Sequence, residues 1–170
     1  MNTTARVTVI GVGNDYRRDD GVGWAVVGRL AERVGMHPLP GGAVLVRCDG
    51  DPARLISHWD GADLAVVVDA AHAHPGQPGR VHRLELDGGR LARADSATSS
   101  HGLGLGDAVE LARVLNRLPR TLIVYAVEGA DHSPGTGLSA PVQAAMESLT
   151  EQIVDRITQH HGVDGRWDDP

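Results

Sequence analysis

Three side chains with chemical potential fall at the ends of apolar runs. Asp20 closes the stretch Gly11-Val12-Gly13-Asn14-Asp15-Tyr16-Arg17-Arg18-Asp19-Asp20-Gly21, just past a β-branched run. Asp69 ends Leu64-Ala65-Val66-Val67-Val68-Asp69. His101 sits in Thr98-Ser99-Ser100-His101-Gly102-Leu103-Gly104, before a helical pattern. Open α/β sheets bind ligands at the carboxyl ends of their strands. If the first and third strands are parallel neighbours, both carboxylates share one sheet edge and the His101 loop can reach them. Two carboxylates and an imidazole make a divalent-cation site with open positions; imidazole suits nickel and zinc, and carboxylates add charge. The same groups could handle protons. Glycine lets a backbone approach a ligand closely, so Gly13, with Asn14 and Asp19, joins the candidates for substrate contact. Negative charge in this crevice argues against a phosphate ligand.

Each residue also has a plainer reading. Asp20 could cap the following helix, Asp69 could be a turn residue, and His101 could be an ordinary loop histidine. His72 and His74 follow Asp69 closely and could extend a metal site, whereas His160 and His161 read as tail. Cys48 lacks an adjacent histidine or cation and reads as core packing. Ser99 and Ser100 read as capping residues. A Ser100-His101-Asp69 triad is unattractive, because sequence neighbours rarely aim at each other and the chain has no Gly-x-Ser-x-Gly elbow.

Five strand-like runs would position these groups: 6–10, 43–47, 64–69, 80–86 and 121–127. The first, third and fifth are nearly continuous apolar runs, as in buried parallel strands. The fourth mixes polar and apolar residues and reads as an edge strand. Helical periodicity covers 22–34, 104–118 and 140–160, with a shorter helix over 52–59 whose Pro52 suits a first turn. Segments 37–42, 74–79 and 130–137 are rich in Pro and Gly and read as loops. Alternating strands and helices predict a three-layer α/β fold: a twisted, mostly parallel five-stranded sheet with helices on both faces. A single domain is expected over 1–160, with a disordered tail at 161–170.

Composition narrows the function. The chain has 170 residues, enough for one sizeable core, and no Phe, so that core rests on Val, Leu, Ile and Ala. A net charge of −6 argues against a nucleic-acid surface. No apolar run is long enough to span a membrane. The N-terminus lacks the pattern of a signal peptide, and a lone Cys48 fits a reducing compartment, so a cytoplasmic location is expected. All 16 basic residues are Arg, which excludes Schiff-base, P-loop and Ser-Lys chemistry. A dinucleotide site is disfavoured, since Tyr16 stands where a third glycine belongs. A phospho-acceptor receiver domain would need a lysine. A non-catalytic metal-sensing or scaffold module of the same fold stays open.

On these residues the chain resembles the maturation endopeptidases of nickel-iron hydrogenases. Gly11-Val12-Gly13-Asn14 with Asp19-Asp20-Gly21-Val22-Gly23 resembles that family's opening signature. Asp69-Ala70 matches its second acidic position, Ser100-His101-Gly102-Leu103-Gly104-Leu105 its histidine segment, and Gly137-Leu138-Ser139-Ala140-Pro141 its late Gly-Leu-Ser-Pro segment. The resemblance implies a twisted, mixed five-stranded sheet between helices. It implies as partner the precursor of a [NiFe] hydrogenase large subunit, cut once near its C-terminus after nickel insertion. The metal-contacting positions carry over to Asp20, Asp69 and His101, with nickel supplied by the substrate and zinc or cadmium able to substitute in vitro. Three segments depart from the common pattern: Asp20 stands where Glu is frequent, and Cys48-Asp49-Gly50-Asp51-Pro52 and Val127-Glu128-Gly129 also differ.

Overall fold

The computed structural model describes residues 5–94 and 105–164. Its elements alternate along the chain: β1 (Val7–Val12), α1 (Val22–Met36), β2 (Val44–Cys48), α2 (Pro52–Trp59), β3 (Leu64–Ala71), β4 (Val81–Asp87), β5 (Arg90–Ala94), α3 (Gly106–Val114), β6 (Thr121–Glu128) and α4 (Ala140–Asp164). The sheet order is β2-β1-β3-β6-β4-β5. The first four strands in that order run parallel, and β4 runs antiparallel to both β6 and β5. The adjacency of β1 and β3 expected from the sequence holds, with Val9 opposite Val66.

Strand periodicity divides the core in two. Ile10, Val12, Ala65, Val67, Leu122 and Val124 face one side, where Leu55, Ile56 and Trp59 of α2 and Ala108, Val109 and Ala112 of α3 cover them. Val7, Val9, Val66, Val68, Ile123 and Tyr125 face the other, under Val26 and Leu30 of α1 and Met146, Leu149 and Ile153 of α4. Both faces of the central strands are therefore dry, which is why β1, β3 and β6 read as unbroken apolar runs.

The sheet has six strands, not five. β5 escaped detection because Arg-Leu-Ala-Arg-Ala carries no β-branched residue. Its real signal is the turn before it: Gly88 and Gly89 sit at φ 54° and 77°, as a two-residue hairpin turn requires. β5 consequently takes the edge assigned to the fourth run, and β4 is interior. The polar residues of β4 are not edge residues either. His82, Leu84 and Leu86 are buried, while Arg83 donates to Glu85 at 2.8 Å and Arg156 of α4 reaches the same carboxylate at 3.3 Å. α3 is shorter than its periodicity suggested: Asn116 takes a left-handed φ of 53° and Pro119 follows, which stops the helix. α4 continues beyond His160 through Asp164, so residues read as the start of the tail are helical. Residues 165–170 lie outside the described residues.

Candidate active site

At the carboxyl edge of β1, β2 and β3 lies a cleft of about 360 Å³, lined by Gly13, Asn14, Asp20, Asp49, Asp69, His72 and Leu105 among others. Asp20, Asp49 and Asp69 give it three carboxylates, and among the described residues no Arg lines it.

Asp69 arrives from β3 on the same face as Ala65 and Val67. Burial pushes its carboxyl up to about 7; the amide of Ala70, which donates to Oδ1 at 2.8 Å, opposes the shift, and the charge of Asp20 adds to it. Asp20 arrives from a short 3-10 turn, Arg18–Gly21, that leads into α1. It is not the cap of α1: that position is Gly21, and no side chain bonds the helix end. The Asp20 carboxylate instead faces two imidazoles. Its Oδ1 lies 2.8 Å from Nδ1 of His132 and 3.3 Å from Nε2 of His72. Arg17 flanks the other oxygen at 3.6 Å.

Two glycines hold this turn against the sheet. Gly13 has φ 151°, and a Cβ there would stand 1.9 Å from the Asp20 carbonyl oxygen. A Cβ on Gly23 would meet the carbonyl oxygens of Val12 and Val68, each at 2.4 Å. The start of α1 thus rests directly on the ends of β1 and β3. Gly13→Ala is expected to displace Asp20 itself, losing stability (about 2–4 kcal/mol) and site geometry together. Thermal unfolding with a metal titration checks this; a variant with wild-type stability would refute the contact.

Asp19, a candidate for substrate contact, is placed elsewhere. It is 0% exposed and turns away from the cleft. Its Oδ1 accepts from the Ser139 amide at 2.7 Å. Its Oδ2 accepts from the amides of Ala130 and Asp131 at 2.8 and 2.9 Å and from the Ser139 hydroxyl at 2.8 Å. Burial alone would raise the Asp19 pKa, but these donors outweigh it and the carboxyl is lowered. Asp19 is therefore a latch that ties the turn to the 129–139 loop. A parallel bridge between Arg17 and Gly135 lies beside it.

That loop delivers His132, which the sequence did not single out: the segment read as a Pro/Gly loop, and its partner is 112 residues away. The His132 ring lies against Gly129, where a Cβ would come within 2.7 Å of Nε2. It stacks on His72 with centroids 3.7 Å apart and planes at 24°. Asn14 holds the loop end of β1, its Oδ1 accepting from the Tyr16 amide at 2.9 Å. Cys48 is buried, and burial pushes its thiol up, the behaviour of a packing residue. His101 lies outside the described residues, as do Ser99 and Ser100. The structure thus brings Asp20 and Asp69 into one cleft and adds His72 and His132.

An acidic and imidazole-bearing cleft at the carboxyl edge of an open α/β sheet is where proteins of this architecture bind their ligands. A profile of the HycI family, hydrogenase maturation protease, matches residues 30–156. The chain belongs to that family. The matched span includes Asp69, His72 and His132 and begins after Asp20. The chain is 28% identical over 156 residues to the hydrogenase 2 maturation protease of Escherichia coli (strain K12), covering 91% of this chain and 92% of that one. It is 27% identical to the hydrogenase expression/formation protein HoxM of Azotobacter vinelandii, over 92% of this chain and 74% of that one. Among solved structures, the hydrogenase maturating endopeptidase HybD from E. coli superposes with a TM-score of 0.74 at 25% identity, covering 91% of this chain and 93% of that chain. The [NiFe] hydrogenase maturation protease HybD from Thermococcus kodakarensis shares the fold, with a TM-score of 0.67 at 24% identity over 89% and 99%. No helix among the described residues is long and apolar enough to cross a membrane.

Proposed function

We propose that the chain removes a C-terminal extension from the nickel-loaded precursor of a [NiFe] hydrogenase large subunit, in the cytoplasm. The observation that carries this reading is the pairing of two carboxylates in unlike settings on one cleft. Asp20 lies among imidazoles and Arg17, while Asp69 is pushed up to about 7 by burial. A carboxyl poised near neutrality can exchange a proton with water or with a leaving amide. The charged partner beside it offers oxygens to a cation.

In this reading nickel comes with the precursor, and Asp20, Asp69 and His101 recognise it by completing its coordination; zinc or cadmium would fill the same role in vitro. A precursor without nickel then offers no anchor, which makes cleavage conditional on metal loading. Gly13 and Asn14, at the cleft wall, would lie along the bound peptide. Asp69 is the better placed proton carrier, because its partner Asp20 already sits among cationic and imidazole groups.

The test is release of the C-terminal peptide from a nickel-loaded precursor, followed by mass spectrometry. Asp20→Asn and Asp69→Asn should each reduce release by about 10²-fold or more, the scale of acid-base catalysis, with circular dichroism unchanged. Undiminished release by both variants would overturn the proposal. Precursor captured by the wild-type chain but never cut would favour a metal-sensing scaffold.

A further inference from the structure

We propose that Asp20, His72 and His132 form a divalent-cation site that this chain holds by itself, before any precursor docks. The inference does not rest on peptidase activity. One oxygen of Asp20 and one nitrogen of each imidazole lie within 4.8 Å of one another. Tetrahedral ligation at about 2.0–2.2 Å sets ligand atoms roughly 3.3–3.5 Å apart. The Asp20 Oδ1 to His72 Nε2 separation is 3.3 Å, and that to His132 Nδ1 is 2.8 Å. The second is a hydrogen-bond length that a cation would replace with a slightly wider spacing.

The setting of His132 points the same way. It is only 20% exposed, and its Nε2 is buried with no hydrogen-bond partner among the described residues. A buried ring nitrogen left unpaired is unfavourable for stability. The unpaired nitrogen is not the one that faces the carboxylate: Nδ1 meets Asp20, so the fold tolerates an unpaired Nε2 to hold Nδ1 in the cleft. An ion lies in the plane of each imidazole that binds it, so the stacked rings must open to share one. His72 is 58% exposed and has room to turn. Two imidazoles and one carboxylate suit zinc or nickel rather than magnesium or calcium. Three protein ligands leave a position open to the cleft.

The experiment is a zinc titration of the isolated chain by calorimetry. Alongside it, the X-ray absorption spectrum of the unmutated chain with one equivalent of zinc counts imidazole ligands. Two imidazoles are expected. Removing a direct ligand should cost at least what removing an outer partner costs, about 10-fold in affinity. His72→Ala and His132→Ala should each show that loss, and the double variant should lose more than either. One imidazole or none in the wild-type spectrum would overturn the proposal. So would a double variant with wild-type affinity. The spectrum needs no substitution, so misfolding of a variant cannot obscure the answer. None of these readouts involves precursor cleavage, so failure here and failure of the peptidase reading are separate results.

Discussion

Asp69→Asn should stabilise the protein above neutral pH and change it little in mild acid. An unfolded aspartate titrates near 3.8, and the folded Asp69 near 7. Between those values the folded state binds the extra proton, so stability falls as pH rises from about 4 to about 7 and then levels off. Three pH units of difference correspond to roughly 4 kcal/mol at most. Asparagine keeps an acceptor for the Ala70 amide and removes the charge. The expected gain is about 2–4 kcal/mol at pH 8 and less than about 1 kcal/mol at pH 4.5, by urea unfolding with chelator present. A variant that is more stable yet does not cleave would identify a carboxyl kept at a cost to the fold, which functional sites commonly show. Equal stability at both pH values would mean that Asp69 is not held in a desolvated state.

Asp19→Ala should act in the opposite direction. It would leave the partly buried amides of Ala130, Asp131 and Ser139 without their acceptor and free the Ser139 hydroxyl. Unsatisfied buried donors cost about 1–3 kcal/mol each, and shared relaxation of the loop reduces their sum. A total loss of about 3–5 kcal/mol is expected, a large share of a stability of roughly 5–15 kcal/mol. The Asp19 pKa is lowered, so its contribution is fully present above the unfolded value near 3.8 and is lost as pH falls through the folded value. The penalty should therefore be the same at pH 5 and pH 8, unlike that of Asp69. Denaturant unfolding at both pH values checks it. A loss below about 1 kcal/mol would mean that the latch is replaced by water.

The layers, the adjacency of β1 and β3 and the convergence of Asp20 with Asp69 were legible because buried parallel strands advertise themselves. An apolar run ending in Asp fixes where that carboxylate emerges. β5 was hidden by its composition, and β4 looked peripheral because Arg83 and Glu85 satisfy each other beneath α4. The two neighbouring aspartates could not be told apart in one dimension. Their opposite fates, Asp19 into the latch and Asp20 into the cleft, depend on a loop more than a hundred residues later. His132 carried no local signal at all, since its meaning comes from Asp20 and from the space at Gly129.

The latch spans 120 residues of sequence between Asp19 and Ser139. During synthesis both cleft aspartates emerge early, but the segment that fixes the turn of Asp20 emerges only after β6. Contacts of such separation form late, after the sheet between them has closed. A partly made or truncated chain therefore carries the acidic residues without the assembled cleft. A cutting site stitched from distant parts of the chain comes into being only with the finished fold, so unfinished copies cannot act on bystander proteins.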